Sequence, residues 1–368
     1  MNIYLIKQAF LSLKQKPVFV ISVVSTMGLT LGALLCVLTL AYVMLLKPLP
    51  LPEQERLYNV EHQLISDDKE IDGRAFTYPN LMHLYNQQSL FDDKALIYVD
   101  GGVITSLDNE PMVAISFISP SWFNIFSPKM AIGRGFEASE NVNNYNPVTV
   151  LTYETWQVEF HGTEDILDKS LTVGGVSYRI VGVLSQDNIE LPLAGAGFKT
   201  EIYLPWDYNS VSERDRKTWG NDDDSLMFVG KIATKYADYS SQQIDQILTT
   251  LINENWQSQV SGQAFFKGWS ISLETQKLKS FIIADGERSV YLLLIGAIGL
   301  VLIACANIAN LFVSRTVERQ QQLAIFAAVG ASKSQLFRNI LAETALLMTH
   351  AIVLAQFFIC IGFAVLQH

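Results

Sequence analysis

The chain has 368 residues, 49% of them hydrophobic, and a formal net charge of −10. This acidity argues against a nucleic-acid-binding protein, because nucleic-acid phosphates require basic patches on their partners. The length predicts two or more structural units, and three long stretches without Asp, Glu, Lys or Arg favour a membrane protein over a soluble one.

Residues 1–16 hold three lysines and no acidic residue, and we expect them to form a short amphipathic helix at the membrane surface. Residues 17–46 follow as an uncharged, mostly apolar run. About 20 apolar residues span the hydrocarbon of a bilayer, so this run predicts transmembrane helix 1. It is longer than the apolar part of a cleavable signal peptide, which predicts an uncleaved anchor.

Two glycines inside this first span, Gly28 and Gly32, form a GxxxG pattern that lets two helix backbones approach closely. The pattern predicts a packing contact, but it leaves open whether the second helix belongs to the same chain. Pro48, Pro50 and Pro52 follow the span and prevent the helix from continuing, because proline lacks the amide donor.

Residues 47–288 form an acidic segment that contains no cysteine and is large enough to bury its own core. Gly174 and Gly175 predict a tight hairpin turn, and the apolar spacing of residues 240–255 predicts a helix. Residues 185–225 are predicted to be loop-rich. Short β-branched or apolar runs predict strands at 147–152, 171–173, 176–183, 226–232 and 269–273.

Residues 289–314 and 344–366 are further apolar runs and predict transmembrane helices 2 and 3. No charged residue lies inside the first two spans, which disfavours an ion pathway through them. Asn307 and Asn310 lie near the inner end of the second span. They are candidates for hydrogen bonds between helices or for a functional joint.

The distribution of charge predicts the orientation in the membrane. Residues 1–16 and 315–343 have an excess of basic residues, whereas residues 47–288 are strongly acidic. Short basic segments stay in the cytoplasm. We therefore expect a cytoplasmic N-terminus, an extracytoplasmic segment 47–288 and a second cytoplasmic segment at 315–343.

This second cytoplasmic segment, 315–343, predicts a helix, a tight turn and a helix. Leu323, Phe326 and Ala327 fall on one face of the first helix, and Gly330 suits the residue that closes it. Two interpretations remain open. The helices lie among lipid headgroups without a partner, or their apolar faces press against another protein.

Chemistry-bearing motifs are lacking in the sequence. The five histidines show no metal-ligand spacing, and Asp222–Asp224 lacks the alternating ligands of a calcium loop, which favours a solvated loop. Gly330–Ser334 lacks the glycine directly before Lys333 that a phosphate-binding loop requires. The sequence therefore predicts no catalytic residue, cofactor site or metal site, and any ATPase must be a separate protein.

The order of the segments resembles that of MacB-type ABC transporter permeases of the FtsX superfamily. The chain is similar to one half of the large permeases built from two such halves. Local motifs that resemble those of the family lie at Leu45–Leu57, Phe76–Asn80, Ile118–Phe126, Gly133–Phe136, Val150–Trp156, Val181–Val183, Ala306–Leu311 and Val329–Ser332.

The resemblance implies an α-helical membrane protein with an α+β extracytoplasmic domain. This domain would combine a porter-like β-α-β part with an inserted, mainly β lobe, forming a MacB-like periplasmic core at 47–288. The resemblance also implies the bacterial inner membrane, a separate ABC ATPase as partner, and a second permease half or a homodimer partner. A periplasmic partner is a further candidate.

The family's cytoplasmic hairpin docks on the ATPase. By position, the resemblance assigns this coupling role to Leu323, Phe326, Ala327, Val329, Gly330, Ala331 and Leu336. Gln322 and Phe326 depart from the Glu and Arg frequent in the family, a departure that bears on coupling. The family has a fourth span, so we expect the FtsX-like part, about 289–368, to be truncated and the chain to be a fragment or one piece of a longer permease.

Three functional hypotheses follow. The first is a permease subunit that couples ATP hydrolysis by a separate ATPase to movement of the periplasmic domain, for export or extraction of a substrate. The second is a transmembrane regulator of FtsX type that acts on an extracytoplasmic partner, and the third is a membrane-anchored sensor without an ATPase. A hydrophobic cleft in the outer domain would favour the first, and a membrane-bound enzyme is the least supported class.

Overall fold

The computed structural model describes residues 3–66, 69–70, 75–87, 90–193, 195, 197–220, 222–328 and 333–366. The chain divides into a helical unit, Met1–Lys47 with Ile283–His368, and a sheet unit, Pro48–Ile282. The helices are α1 Ile3–Lys14, α2 Pro17–Ala41, α3 Tyr78–Asn86, α4 Ser121–Phe126, α5 Tyr153–Glu159, α6 Ser241–Val260, α7 Leu278–Ala328 and α8 Lys333–Leu366. The strands are β1 Leu57–Ser66, β2 Lys69–Glu70, β3 Phe76–Thr77, β4 Phe91–Val103, β5 Met112–Ile118, β6 Met130–Gly133, β7 Val148–Leu151, β8 Ser170–Val173, β9 Val176–Leu184, β10 Ile202–Pro205, β11 Asp222–Asp223, β12 Leu226–Ile232 and β13 Trp269–Lys277.

One mixed sheet dominates the sheet unit, with the strand order β13-β1-β12-β4-β5-β10-β7-β9-β6. The predicted strand–helix–strand near the end of the unit is β12-α6-β13. Its two strands do not pair with each other, because β1 lies between them and is antiparallel to both. At the other end the sheet curls until Ile104, just after β4, bridges Val173 of β8. The inserted lobe is therefore a ring of six strands, β4, β5, β10, β7, β9 and β8.

Local sequence rules explain several of these elements. Gly174 and Gly175 form the turn between β8 and β9 with φ of 57° and 79°, the left-handed region that a two-residue hairpin requires. Ser240 caps α6 in a capping box with Gln243. The region 185–225, predicted as loop-rich, also contains the short strand β10, which is buried between β5 and β7.

Both faces of the sheet are covered by apolar side chains. Successive residues of β12 point to opposite faces, so that Phe228 joins one core and Val229 the other. On the first face α6 buries an apolar stripe that recurs every four residues. On the second face α4 contributes Trp122 and Phe126. The α6 stripe consists of Ile244, Leu248, Ile252, Trp256 and Val260.

The edge strand β13 is closed by side chains of α6. Four residues along a helix rise about 6 Å and two along a strand about 6.6 Å, so polar residues at every fourth helical position can meet alternate strand residues. This pairing removes a free sheet edge that could otherwise bind another strand. The contacts are Asp245 Oδ1 to Thr275 N (2.6 Å), Thr249 Oγ1 to Leu273 N (2.9 Å), Asn253 Oδ1 to Ile271 N (3.1 Å) and Gln257 Nε2 to Trp269 O (2.6 Å).

In the helical unit, three of the described segments are long and apolar enough to cross a membrane: Pro17–Leu46, Gly286–Ser314 and Ile340–Cys360. The first consists of α2 followed by one turn of π-helix, Tyr42–Leu46. The other two lie within α7 and α8, which are longer than the spans they contain. Leu13 of α1, Val23 of α2 and Leu347 of α8 pack together in one buried cluster.

Candidate coupling and helix-packing sites

The predicted coupling hairpin is built from the adjoining ends of two long helices. Helix α7 continues without a break from the second span to Ala328, and α8 continues from Lys333 into the third span. Exposed apolar side chains lie on both arms, among them Ile325 (63% exposed) and Phe337 (65%). Because each arm and its span are one helix, a displacement of the arm acts directly on the span.

The residues to which the sequence assigns coupling fall into two groups. Val329, Gly330 and Ala331, where the turn is predicted, lie outside the described residues. Of Gln322, Leu323, Phe326, Ala327 and Leu336 the structure describes the helical backbone only, and all five lie on the two arms. Their role in ATPase docking stays a prediction.

Gly28 and Gly32 lie where α2 packs against α8. A Cβ atom at Gly28 would stand 2.8 Å from Cδ2 of Leu354, and one at Gly32 would stand 3.0 Å from Cβ of Phe358 and 3.2 Å from the carbonyl oxygen of Ala355. At both positions a side chain would not fit without movement of α8. The close approach that the glycine pair permits is therefore filled within the chain.

Asn307 and Asn310 of α7, by contrast, are not part of a packing contact among the described residues. Both are exposed, and neither makes a hydrogen bond with any residue that the structure describes. Two other glycines of this helix, Gly296 and Gly299, have no atom within 4 Å of the position a Cβ would take. This side of the second span thus has room and hydrogen-bonding groups but no partner among the described residues.

The Gly133–Phe136 motif of the sheet unit has a structural role. Gly133 adopts φ of 68°, and a Cβ there would stand 2.2 Å from the carbonyl oxygen of Val181. The Arg134 guanidinium binds the buried carboxylate of Glu140, with Nη2 2.9 Å from Oε1. Burial alone would raise the pKa of Glu140, but the hydrogen bonds from Arg134 and from the Glu137 amide, with the positive charge of Arg134, together outweigh burial and lower this pKa. Phe136 completes the buried cluster on the α4 side of the sheet.

The Phe76–Asn80 motif holds α3 against β1 through a buried histidine. His62 is fully buried, with Nδ1 2.8 Å from the carbonyl oxygen of Ala75 and Nε2 3.2 Å from Nδ2 of Asn80. Because the carbonyl only accepts, this network assigns the proton to Nδ1, and Nε2 accepts from the amide. Burial lowers the pKa of His62 to about 4, so that the ring is neutral at pH 7.

Tyr78 of the same motif anchors α3 to the segment after β10. Its ring stacks on Trp206, with centroids 5.9 Å apart, and the Arg216 guanidinium lies 4.9 Å from the Tyr78 ring centroid. Arg216 Nη1 also donates to the Tyr78 hydroxyl at 2.9 Å. Gly133–Phe136 and Phe76–Asn80, two of the motifs that resemble those of the family, thus stabilise the fold of the sheet unit.

Asp222–Asp224, weighed in the sequence as a calcium loop, borders a cleft of about 350 Å³. Asp222 and Asp223 form β11, which pairs with β3, so these residues are part of a short two-stranded sheet. Across the described part of the chain, no group of three or more His, Cys, Asp or Glu residues is placed to hold a metal ion.

A cleft and a small pocket of the sheet unit were not predicted from the sequence. The cleft, of about 230 Å³, has a mixed lining, in which apolar side chains stand beside polar ones; the apolar ones include Val99, Leu193, Met227 and Phe281, and the polar ones are Asn59, Glu61, Asp224 and Ser225. Val99, Leu193 and Met227 also line a mainly apolar pocket of about 50 Å³, which reaches Trp122. The lining comes from separate strands, a loop and the start of α7, so no single stretch of the sequence predicts it.

Comparison with known proteins identifies the family. The family model described as the MacB-like periplasmic core domain matches residues 22–262, and the model described as the FtsX-like permease C-terminal matches residues 294–367. The chain is 24% identical over 230 residues to the macrolide export ATP-binding/permease protein MacB of Escherichia coli K12, which covers 62% of this chain and 32% of that protein. The MacB protein of Pasteurella multocida is 26% identical, covering 62% of this chain and 31% of that protein.

The chain thus spans about a third of the length of the curated relatives it matches. Among solved structures, a domain of a permease protein from Porphyromonas gingivalis has a TM-score of 0.47 at 12% identity, covering 63% of this chain and 93% of that one. The periplasmic region of MacB from Actinobacillus actinomycetemcomitans has a TM-score of 0.35 at 18% identity, covering 57% and 87%. Because the core-domain model matches more than half of its residues, the chain belongs to the MacB/FtsX-type permeases of ABC-type systems, as a membrane protein with a periplasmic domain.

Proposed function

We propose that the chain is a permease subunit that couples ATP hydrolysis by a separate cytoplasmic ATPase to movement of its periplasmic domain, for export or extraction of a substrate. The N-terminus and the hairpin 315–343 are cytoplasmic in this proposal, and the sheet unit is periplasmic. The family supports the partner, because its permeases work with ABC ATPases.

The continuity of α7 and α8 carries this proposal. A loop between span and hairpin would absorb a displacement of the hairpin, whereas a continuous helix transmits it. Closure of the ATPase on the hairpin would therefore tilt the second and third spans together. Leu323, Phe326, Ala327 and Leu336, with Val329, Gly330 and Ala331 at the turn, would form the docking surface.

A small apolar pocket of the sheet unit favours transport over regulation. A regulator that binds a protein partner needs a surface patch, whereas a transported apolar group needs a concave, mainly apolar site. The pocket of about 50 Å³ lined by Val99, Leu193 and Met227 is a small recess of this kind. The regulator remains the alternative, and a substrate that binds the purified permease would separate the two.

The test replaces Leu323 with Asp and measures co-purification of the ABC ATPase from native membranes. A charge within the apolar docking face should reduce recovery of the ATPase at least tenfold, since an unpaired buried charge is costly. The control is Gln320→Asp, which adds the same charge at an exposed polar position of α7 and should leave recovery within about twofold. Equal recovery with both variants would count against the hairpin as the docking site.

A further inference from the structure

An apolar pocket and a second, wider cleft adjoin each other on the α4 side of the sheet. The pocket, of about 50 Å³, is mainly apolar, whereas the lining of the wider cleft, of about 370 Å³, includes the charged residues Glu154, Glu190 and Lys199. The two recesses share Asn188, Glu190 and Tyr203 in their linings, so that one molecule can occupy both. A mainly apolar recess with a few polar groups at one side is typical of sites that bind small molecules.

The apolar pocket has room for a compact hydrocarbon group. Its walls include Trp122 of α4, Ile97 of β4 and Met227 of β12. Ile189 and Leu191, from the segment that follows β9, also line it. A cavity of about 10–15 Å³ holds one water molecule, so a pocket of this size accepts roughly three to four heavy atoms, which is the size of an isobutyl group.

The junction of the two recesses carries an excess of negative charge. Glu190 Oε1 accepts a hydrogen bond from the Thr200 amide at 2.9 Å, and Oε2 makes no hydrogen bond with any described residue. The hydrogen bond between Lys199 and Glu154 is the main cause that raises the pKa of Lys199, and the nearby carboxylates of Glu190 and Glu201 raise it further. One cation therefore stands among three carboxylates.

Tyr203 places a neutral hydroxyl near the Glu190 carboxylate. The residue is 2% exposed and lines both recesses. Burial, and after it the negative charge of Glu190, raises the pKa of Tyr203, so that the hydroxyl keeps its proton at neutral pH. The junction thus combines a carboxylate with a free oxygen and a hydroxyl whose oxygen can accept a further hydrogen bond.

We propose that this site binds an organic cation, whose compact apolar group enters the pocket while its ammonium group binds Glu190 at the junction. An ammonium group donates three hydrogen bonds, which suits Oε2 of Glu190 and the hydroxyl oxygen of Tyr203. The excess of carboxylates at the junction would repel an anionic group. The inference rests on the proposed function, because it names the chemical class of the transported substrate, but binding can be measured without any ATPase.

The test follows Trp122 by fluorine NMR in the full-length chain, labelled with fluorotryptophan and purified in detergent. The Trp122 resonance is identified by its loss in Trp122→Phe. The probe is isoamylamine, and its counterpart isocaproate carries a carboxylate on the same branched chain. Isoamylamine should shift the Trp122 resonance saturably, and isocaproate at equal concentration should shift it at least fivefold less. Trp219, which packs on the α6 side of the sheet, is the internal reference.

Two matched variants test the role of the Glu190 charge. Glu190→Gln removes this charge but keeps an oxygen that can accept from the Thr200 amide, and it should weaken isoamylamine binding at least tenfold. Glu164→Gln removes an exposed carboxylate outside both linings and should leave binding within about twofold.

Three results would overturn the proposal: no saturable shift with isoamylamine, equal shifts with isoamylamine and isocaproate, or native affinity in Glu190→Gln. Recovery of the ATPase from native membranes is measured separately. A failure of coupling and a failure of cation binding therefore give different results.

Discussion

The two units differ in where their polar groups and glycines find partners. In the sheet unit, α6 side chains bond the edge strand β13, Asn80 bonds His62, and Arg134 bonds Glu140. In the helical unit, the contact at Gly28 and Gly32 is closed by α8, but the Asn307 and Asn310 side of α7 has no partner among the described residues. These polar groups of the sheet unit are thus paired within it, whereas the two asparagines of α7 are not paired among the described residues.

Acidification tests the buried polar contacts of the sheet unit, and we expect it to have the largest effect on stability. The pKa of His62 is lowered by burial from an ordinary 6.5 to about 4. The unfolded chain takes up the proton more readily, so the stability present above pH 6.5 is lost as the pH falls towards 4. We expect a loss of about 2 kcal/mol between pH 7 and pH 5.

Tryptophan fluorescence of the full chain in detergent measures this loss, because all six tryptophans lie in the sheet unit. His62→Gln should remove most of the loss between pH 7 and pH 5, and the contribution of His83, whose pKa burial also lowers, should remain. His161→Gln, at an exposed position, should leave the pH dependence as in the native chain. A loss of about 2 kcal/mol that survives in His62→Gln would contradict the role given to His62.

Two glycine variants compare the face of α2 that packs against α8 with the face of α7 at Gly296, where no atom lies within 4 Å of a Cβ position. Gly32→Leu forces a side chain against Ala355 and Phe358, and overpacking of this kind costs about 1–3 kcal/mol. Hydrogen exchange of the α2 amides around this position should become about tenfold faster. Gly296→Leu fills open space and should leave α2 exchange unchanged, and similar exchange in both variants would break the comparison.

Removal of one α6 side chain from the β13 edge should have the smallest effect. Asp245→Ala leaves the Thr275 amide and hydroxyl without their acceptor, which we expect to cost about 1–2 kcal/mol. Glu254→Ala removes an exposed carboxylate from the same helix and should change stability by less than about 0.5 kcal/mol. Fluorescence-monitored denaturation measures both, and equal losses would mean that α6 does not stabilise the edge through these bonds.

Local signals in the sequence predicted much of the fold. Charge-free runs predicted the spans, the Gly174–Gly175 pair predicted the β8–β9 turn, and a regular apolar spacing predicted α6. Strands β1, β4 and β5 were not predicted individually. In β4 the residues Asp92, Asp93 and Lys94 interrupt the apolar alternation, and the strand is held by its pairing with β5 and β12, which the local sequence does not encode.

The candidate sites were less accessible to sequence reasoning. The GxxxG pattern indicated that Gly28 and Gly32 permit close packing, but their partner α8 lies more than 300 residues further along the chain. Every face of α7 within the span is largely apolar, so only the packing of Val290, Ala297 and Ala304 shows which face is already occupied. The cleft lined by Val99, Leu193, Met227 and Phe281 forms only when four distant segments of the chain are brought together.

Coupling to an ATPase is the central claim, and crosslinking from the end of α7 tests it most directly. A cysteine at Ala328, in a chain without its native cysteines, would be crosslinked in native membranes and the captured proteins identified by mass. The account predicts recovery of an ABC ATPase, lost when Leu323→Asp is added. No ATPase, from a chain that is present and correctly inserted, would contradict coupling through this hairpin.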